Sequence, residues 1–207
     1  MDIYEAIYSR RTVRDFKDEQ IDTGIITKII SAGMQAPSNN HMREWEFVVI
    51  RDKAAKLELI SKVNENLSEA DAIRIIDDWG LIDKVQREMY IDGIPKQYSM
   101  LLNSACVIIP LFRQFDLLKP KNLSSLNPFA SIWCCIENIL LAAASEGIFG
   151  VTRIPFDDET AHLKKLLNVP DGYEISCYLA LGYPKEGLSK IVQHSFEVEE
   201  RIHLNKW

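Results

Sequence analysis

The sequence predicts one compact α/β domain with a single hydrophobic core, on two observations. Its 207 residues suffice for one such core and are short for two. Along them, stretches of helical period alternate with short β-rich runs, and the sequence carries no internal repeat, low-complexity tract or linker. A composition of 47% apolar and 26% charged residues is that of a globular chain in water, neither disordered nor fibrous.

Each element follows from local pattern. Asp2 caps a short amphipathic helix through Ile3, Ala6 and Ile7, and Asp22 caps a second through Ile25, Ile26, Ile29, Ile30 and Met34, which Pro37 ends. Glu46 to Ile50 reads as a strand. Residues 53–64 and 69–91 return to helical period, so the middle of the chain is an acidic helical excursion. Ala105 to Phe112 is a continuously apolar strand, and Pro110 places its end near a sheet edge or bend. Asn127 as N-cap, Pro128 in the first turn and Gly147 past the end delimit a long helix, apolar nearly all round, which must be buried in the subunit or against a second copy. A strand at 149–154, a helix at 157–167, a strand at 174–182 and a charged tail complete the chain.

Composition narrows the function. Thirty acidic residues against 24 basic give a net charge of −6, with no basic run, so nucleic acid is not an expected partner. The N-terminus lacks the apolar core of a signal peptide, and the apolar stretch from Phe129 to Ala144 is shorter than the roughly 20 residues that cross a bilayer. A cytoplasmic protein without a membrane partner is expected. Cys106, Cys134, Cys135 and Cys177 lie in apolar segments without CxxC spacing, as reduced core thiols do. The four histidines have no metal-site spacing, so no metal is expected, and neither a Gly-rich dinucleotide loop, a phosphate loop nor a GxSxG elbow is present.

What stands out is a concentration of cations in an acidic protein. SRRTVRDF sets Arg10, Arg11, Thr12 and Arg14 at the end of the first helix, where guanidinium forks and a hydroxyl can grip phosphate oxygens. The same arginines can equally be solvated charges or partners of Asp15 and Asp18. About one helix later APSNNHMREW offers Ser38, Asn39, Asn40 and His41 as short polar groups, or simply a helix-stopping turn with Trp45 as a core anchor.

Taken in order, SRRTVRDF, APSNNHMREWEFVVI, IENILLAAASEGIFG, LALGYP and the C-terminal EERIHLNKW resemble the nitroreductase family, over most of the chain outside residues 60–100. The resemblance implies an α+β nitroreductase-like fold over residues 1–207, with a central, mostly antiparallel sheet flanked by helices. It further implies an intertwined homodimer with FMN at the subunit interface. By similarity Arg10, Arg11 and Thr12 hold the FMN phosphate, and Arg14 approaches the N1 and C2 oxygen edge of the flavin. Pro37, Ser38, Asn39 and His41 line it from the partner subunit, and Gly150 and Val151 bring a backbone amide near N5. No side chain acts as catalyst. NAD(P)H would deliver hydride to N5, and a nitroaromatic or quinone-type acceptor would take the electrons in ping-pong fashion, with Arg14 stabilising the charge that develops.

The chain departs from the pattern in two places. Where the family's PSxxNxQPW loop has Asn, Gln and Pro, this sequence has His41, Arg43 and Glu44. Where the family carries a C-terminal Lys or Arg toward the phosphate, it has Gln193, His194 and Ser195, of which His194 and Ser195 are the candidate cofactor contacts. Residues 66–100 correspond to the family's variable excursion, in which Trp79, Tyr90, Tyr98 and Met100 are either substrate-side groups or ordinary packing. Arg43 and Arg153 read as surface charges, with contact to a 2′-phosphate as the alternative. Two other functions fit the resemblance: a related flavoenzyme such as a dehalogenase or flavin-fragmenting enzyme, and a dimer that binds FMN or another small ligand without turnover.

Overall fold

Asp2, Asp22, Asp52, Ser68 and Asp83 each accept a backbone N–H from the turn that follows, satisfying a donor that a helix start leaves orphaned. In the computed structural model, which describes residues 1–114, 120–188 and 194–207, these caps open the first five helices. They are α1 (Ile3–Ser9), α2 (Thr23–Gly33), α3 (Lys53–Leu59), α4 (Glu69–Asp78) and α5 (Lys84–Gly93). Ser99–Leu102 forms α6, Asn127–Ser145 the long α7 and Asp157–Leu166 α8. The strands are β1 (Trp45–Ile50), β2 (Cys106–Arg113), β3 (Phe149–Arg153), β4 (Tyr173–Ile175) and β5 (Tyr178–Gly182).

Two compact units result, Met1–Glu65 with Lys96–Leu188 and Asn66–Pro95 with Ser189–Trp207. The first holds the sheet, in the order β1-β2-β5-β3 with β4 paired to β2, every pair antiparallel. The architecture is therefore α+β, as the resemblance implies. Period-two alternation divides the core between the faces of the sheet. Cys106, Ile108 and Phe112 of β2 join Leu179 and Leu181 of β5 in a cluster with residues of α2 and α7. Val107, Ile109 and Leu111 join Tyr178 and Ala180 in a cluster with residues of α3, α6 and α8. The single core expected from chain length is thus split in two by the sheet.

Pro110 lies inside β2, a central strand, opposite Phe47 of β1. The bend expected there falls on the partner instead, since Ser176 and Cys177 interrupt what the sequence reads as one strand, leaving β4 and β5. The Pro110 carbonyl accepts the Ser176 N–H at 3.1 Å and the Ser176 hydroxyl at 3.0 Å, so the proline sits where the ladder is already broken. The expected 69–91 helix breaks likewise, at Gly80 with φ +69°, into α4 and α5. In α5's unit Trp79 and Tyr90 meet edge to face at 5.4 Å, while in the first unit Met100 is a core residue and Tyr98 packs against the core.

Helix α7 starts at Asn127 itself, with Leu126 rather than Asn127 in the cap position, and Gly147 follows its end with φ +73°. A preceding 3₁₀ turn extends the helical run to 23 residues, Leu123–Ser145, long and apolar enough by length and composition to cross a membrane, which the 129–144 stretch alone is not. Ile132, Cys135, Ile136, Ile139 and Ala143 are buried in the core cluster shared with α2, as in the central helix of a globular unit. Gly33 of α2 lets the two helices approach, because a Cβ there would lie 2.5 Å from Ile139.

Cys106, Cys135 and Cys177 are buried, whereas Cys134, expected in the core, is exposed on α7. Burial pushes the three buried thiols up, Cys106 to about 11 and Cys135 and Cys177 to about 12, from the ordinary 9.0. Below pH 9 both folded and unfolded chains keep these protons, so the contribution to stability is complete. As pH rises above 9 the unfolded chain gives them up first, and the contribution is lost progressively until the folded thiols ionise in turn, at about 11 to 12. In a thiol titration with Ellman's reagent at pH 8, these three thiols should stay silent until denaturant is added. Rapid reaction of any of them in the folded protein would contradict the packing.

Candidate functional site

The first cluster begins where α1 ends. Arg10, the C-cap, turns the chain out of the helix with φ −55° and ψ 126°. Thr12 then pairs in parallel with Gly150 of β3, and the Val13 N–H donates to the Gly150 carbonyl at 3.1 Å. A few residues on, Phe16 bridges Pro184 and the Lys17 N–H reaches the Tyr183 carbonyl at 2.8 Å. Arg14 therefore sits on an extended stretch clamped at both ends to the sheet. Between the clamps the Asp15 carboxylate accepts from Lys96 at 2.7 Å, and the Asp15 carbonyl accepts from the Lys185 N–H at 3.1 Å.

Gly150 is required by this contact. A Cβ there would overlap the Ala180 carbonyl oxygen and lie 2.5 Å from a Leu181 methyl, so only glycine lets β3 close on β5. Val151 beside it is buried and offers its backbone alone. The structure thus brings the backbone of the Arg10 to Arg14 stretch against β3 at Gly150, next to Val151. Arg10 lies 3.5 Å from Glu137 of α7, and Arg11 folds back to donate at 2.7 Å to the Tyr8 and Arg10 carbonyls. Both are partly or fully exposed contacts, which a stronger anion can displace.

The second cluster is the loop after Pro37. The Asn39 N–H donates to the Ser131 hydroxyl at 2.9 Å, and that hydroxyl donates to the Asn127 carbonyl at 2.7 Å. The Arg43 N–H donates to the Ser38 hydroxyl at 3.2 Å, so both serines hold the loop. His41 is exposed, with φ +57°. The loop meets α7 at Ser131 and the arginine cluster meets it at Glu137, six residues or ~9 Å along the helix. Within one chain the two groups of expected flavin contacts are thus anchored separately.

In the second unit Asp83 Oδ1 lies 2.9 Å from Nε2 of His194. The Gln86 N–H, and after it His194, hold the Asp83 carboxyl below the usual range. Ser195 is exposed, and Gln193 lies outside the described residues.

Sequence reasoning missed the groups that lock these segments. Arg153 is no surface charge: it is 9% exposed and clasps Glu159, itself 2% exposed, through both terminal nitrogens. Its Nε donates to Gln97 at 3.0 Å, and its guanidinium lies 5.5 Å from the Phe156 and Tyr178 ring centres. Its expected alternative use, on a 2′-phosphate, is closed by that pairing. Ser131 left a trace in the sequence, a hydroxyl on the buried face of an apolar helix, whereas Lys96 and Gln97 left none.

The Nitroreductase family model matches residues 7–183, and the chain belongs to that family. A protein of Methanothermobacter thermautotrophicus, provisionally named an NADH dehydrogenase/NAD(P)H nitroreductase, is 28% identical over all of this chain and 88% of its own length. Iodotyrosine deiodinase 1 of Rattus norvegicus is 30% identical over 90% of this chain, which spans 63% of that protein. The crystal structure of an iodotyrosine deiodinase bound to FMN and 3-iodo-L-tyrosine superposes over the full length of both chains with a TM-score of 0.73 at 18% identity, a likeness of fold.

Proposed function

We propose that the chain is an FMN-dependent oxidoreductase that takes hydride from NAD(P)H and reduces nitroaromatic or quinone-type acceptors, as a cytoplasmic homodimer. One observation carries this reading: three guanidinium groups within five residues, on a stretch clamped at Thr12–Gly150 and Phe16–Pro184. The fit to FMN is chemical. Arg10, Arg11 and the Thr12 hydroxyl form a dense set of donors for a phosphate, and the clamp fixes Arg14 next to them. When bound, FMN would accept hydride at N5 and hand electrons on; the protein's part is to grip the phosphate and to hold a fixed positive charge where negative charge grows. Gly150 and Val151 add only backbone there. The exposed Ile3, Tyr4, Ile7 and Tyr8 on α1 leave an apolar face, which supports a second copy as partner. The free cysteines suit a reducing compartment.

The test is the visible spectrum of the purified protein, followed anaerobically on addition of NADPH and then NADH. Flavin absorbance that bleaches is expected; colourless protein that takes up no FMN would refute the reading. Arg14→Glu should leave a folded protein whose flavin is lost or reduced about tenfold or more slowly, while unchanged flavin content and rate would remove Arg14 from its role. The similarity to the deiodinases favours a second reading, reductive removal of halide from a halogenated aromatic. Halide release measured against nitro-group reduction in the same preparation separates the two.

A further inference from the structure

The loop 38–43 carries a feature that flavin binding does not absorb. Asn40, His41 and Arg43 hold left-handed backbone, with φ of +52°, +57° and +45°. That conformation is uncommon outside glycine, though Asn and His adopt it more readily than most residues. At Arg43 it is enforced from both sides, since its N–H is bound to Ser38 Oγ at 3.2 Å and its carbonyl accepts the Trp45 N–H at 2.7 Å. Backbone strain over-determined in this way is what binding sites tend to retain. The neighbouring Glu44 is already paired with Arg113 at 3.3 Å, whereas the Arg43 guanidinium has no ion pair or hydrogen bond with any described residue. Arg43 also lines a small cleft with Ser38, Asn39, Trp45, Phe112 and Ser131, whose volume is about 30 Å³. A space of that size takes one functional group of a ligand, not a whole molecule. The hydroxyls of Ser38 and Ser131 are spent on holding the loop. What the cleft presents, beside the Glu44–Arg113 pair, is an exposed guanidinium that has no partner among the described residues and stands on a backbone held in place, in a protein of net charge −6.

We propose that Arg43 forms a subsite for the anionic group of a reactant, a carboxylate on the electron acceptor or the 2′-phosphate of the donor. This rests on the redox reading above, to which it adds selection of the reactant by charge. A guanidinium fork matches either group through paired hydrogen bonds, and its selectivity lies in rejecting the neutral analogue.

The test is equilibrium binding, by calorimetry, to the full-length protein. Adenosine 2′,5′-bisphosphate is compared with adenosine 5′-monophosphate, and 4-nitrobenzoate with nitrobenzene. Wild type should prefer one of the anionic probes over its partner about tenfold or more, and the preferred pair names the source of the anion. Arg43→Glu should abolish that preference and leave the control compounds unaffected. Arg43→Gly, which adopts left-handed backbone without strain, should lose the preference and melt no lower than wild type, so that lost binding cannot be ascribed to lost folding. No preference in the wild type, or an undiminished one in either variant, overturns the subsite. Flavin content of the same preparations reports separately on the redox reading. Protein that selects the anion through Arg43 yet takes up no FMN keeps the subsite and loses the enzyme; flavin-loaded protein without the preference does the reverse.

Discussion

Arg153→Ala is expected to cost about 3–5 kcal/mol, because it leaves the Glu159 carboxylate buried and uncompensated. The pair is not thereby a large net source of stability, since removing two charges from water offsets most of what their attraction returns. The double substitution Arg153→Met with Glu159→Leu should therefore recover most of the loss, to within about 2 kcal/mol of wild type. Urea denaturation of wild type, Arg153→Ala and the double variant measures both values. If the single and double variants prove equally unstable, packing rather than charge accounts for the cluster.

Gly150→Ala should be the other costly change, about 3 kcal/mol, near the top of the range for overpacked cores. The methyl group would meet the Ala180 carbonyl oxygen, which is backbone and can retreat only by opening the β3–β5 ladder. In a chain of this length such a loss lowers the melting temperature by roughly 6–12 °C. Flavin retention should fall with it, since Gly150 also receives the Val13 N–H that holds the Arg10 to Arg14 stretch in place. A melting temperature within a degree of wild type would mean that β3 and β5 are not as close as described.

Much of the fold was legible because the signals were local. Asp22 capping α2, Pro37 after it and Gly147 beyond α7 each act on the nearest turn, where a chain of any tertiary fold reads them alike. The family was legible too, from five segments in order, and the match over residues 7–183 bears that out. Two errors have local causes. Asn127 looked like a cap because Pro128 follows it, but the preceding 3₁₀ turn already supplies the helix start. Pro110 looked like a strand end because a proline lacks its donor, and only the partner's break at Ser176 shows why a central strand tolerates it.

By itself, then, the sequence determined the helix starts and stops, the apolar strands, the sequence family and the polar composition of the two loops. Those features depend on neighbours within about a turn or on alternation along one strand. The tertiary structure decided that Arg153 is buried rather than solvated, and that Lys96 meets Asp15 across 81 residues and Ser131 meets Asn39 across 92. Such pairings carry no period in the chain. They arise only when the sheet has closed and two distant segments are pressed together, so that each buried polar group must take the partner packing puts within reach.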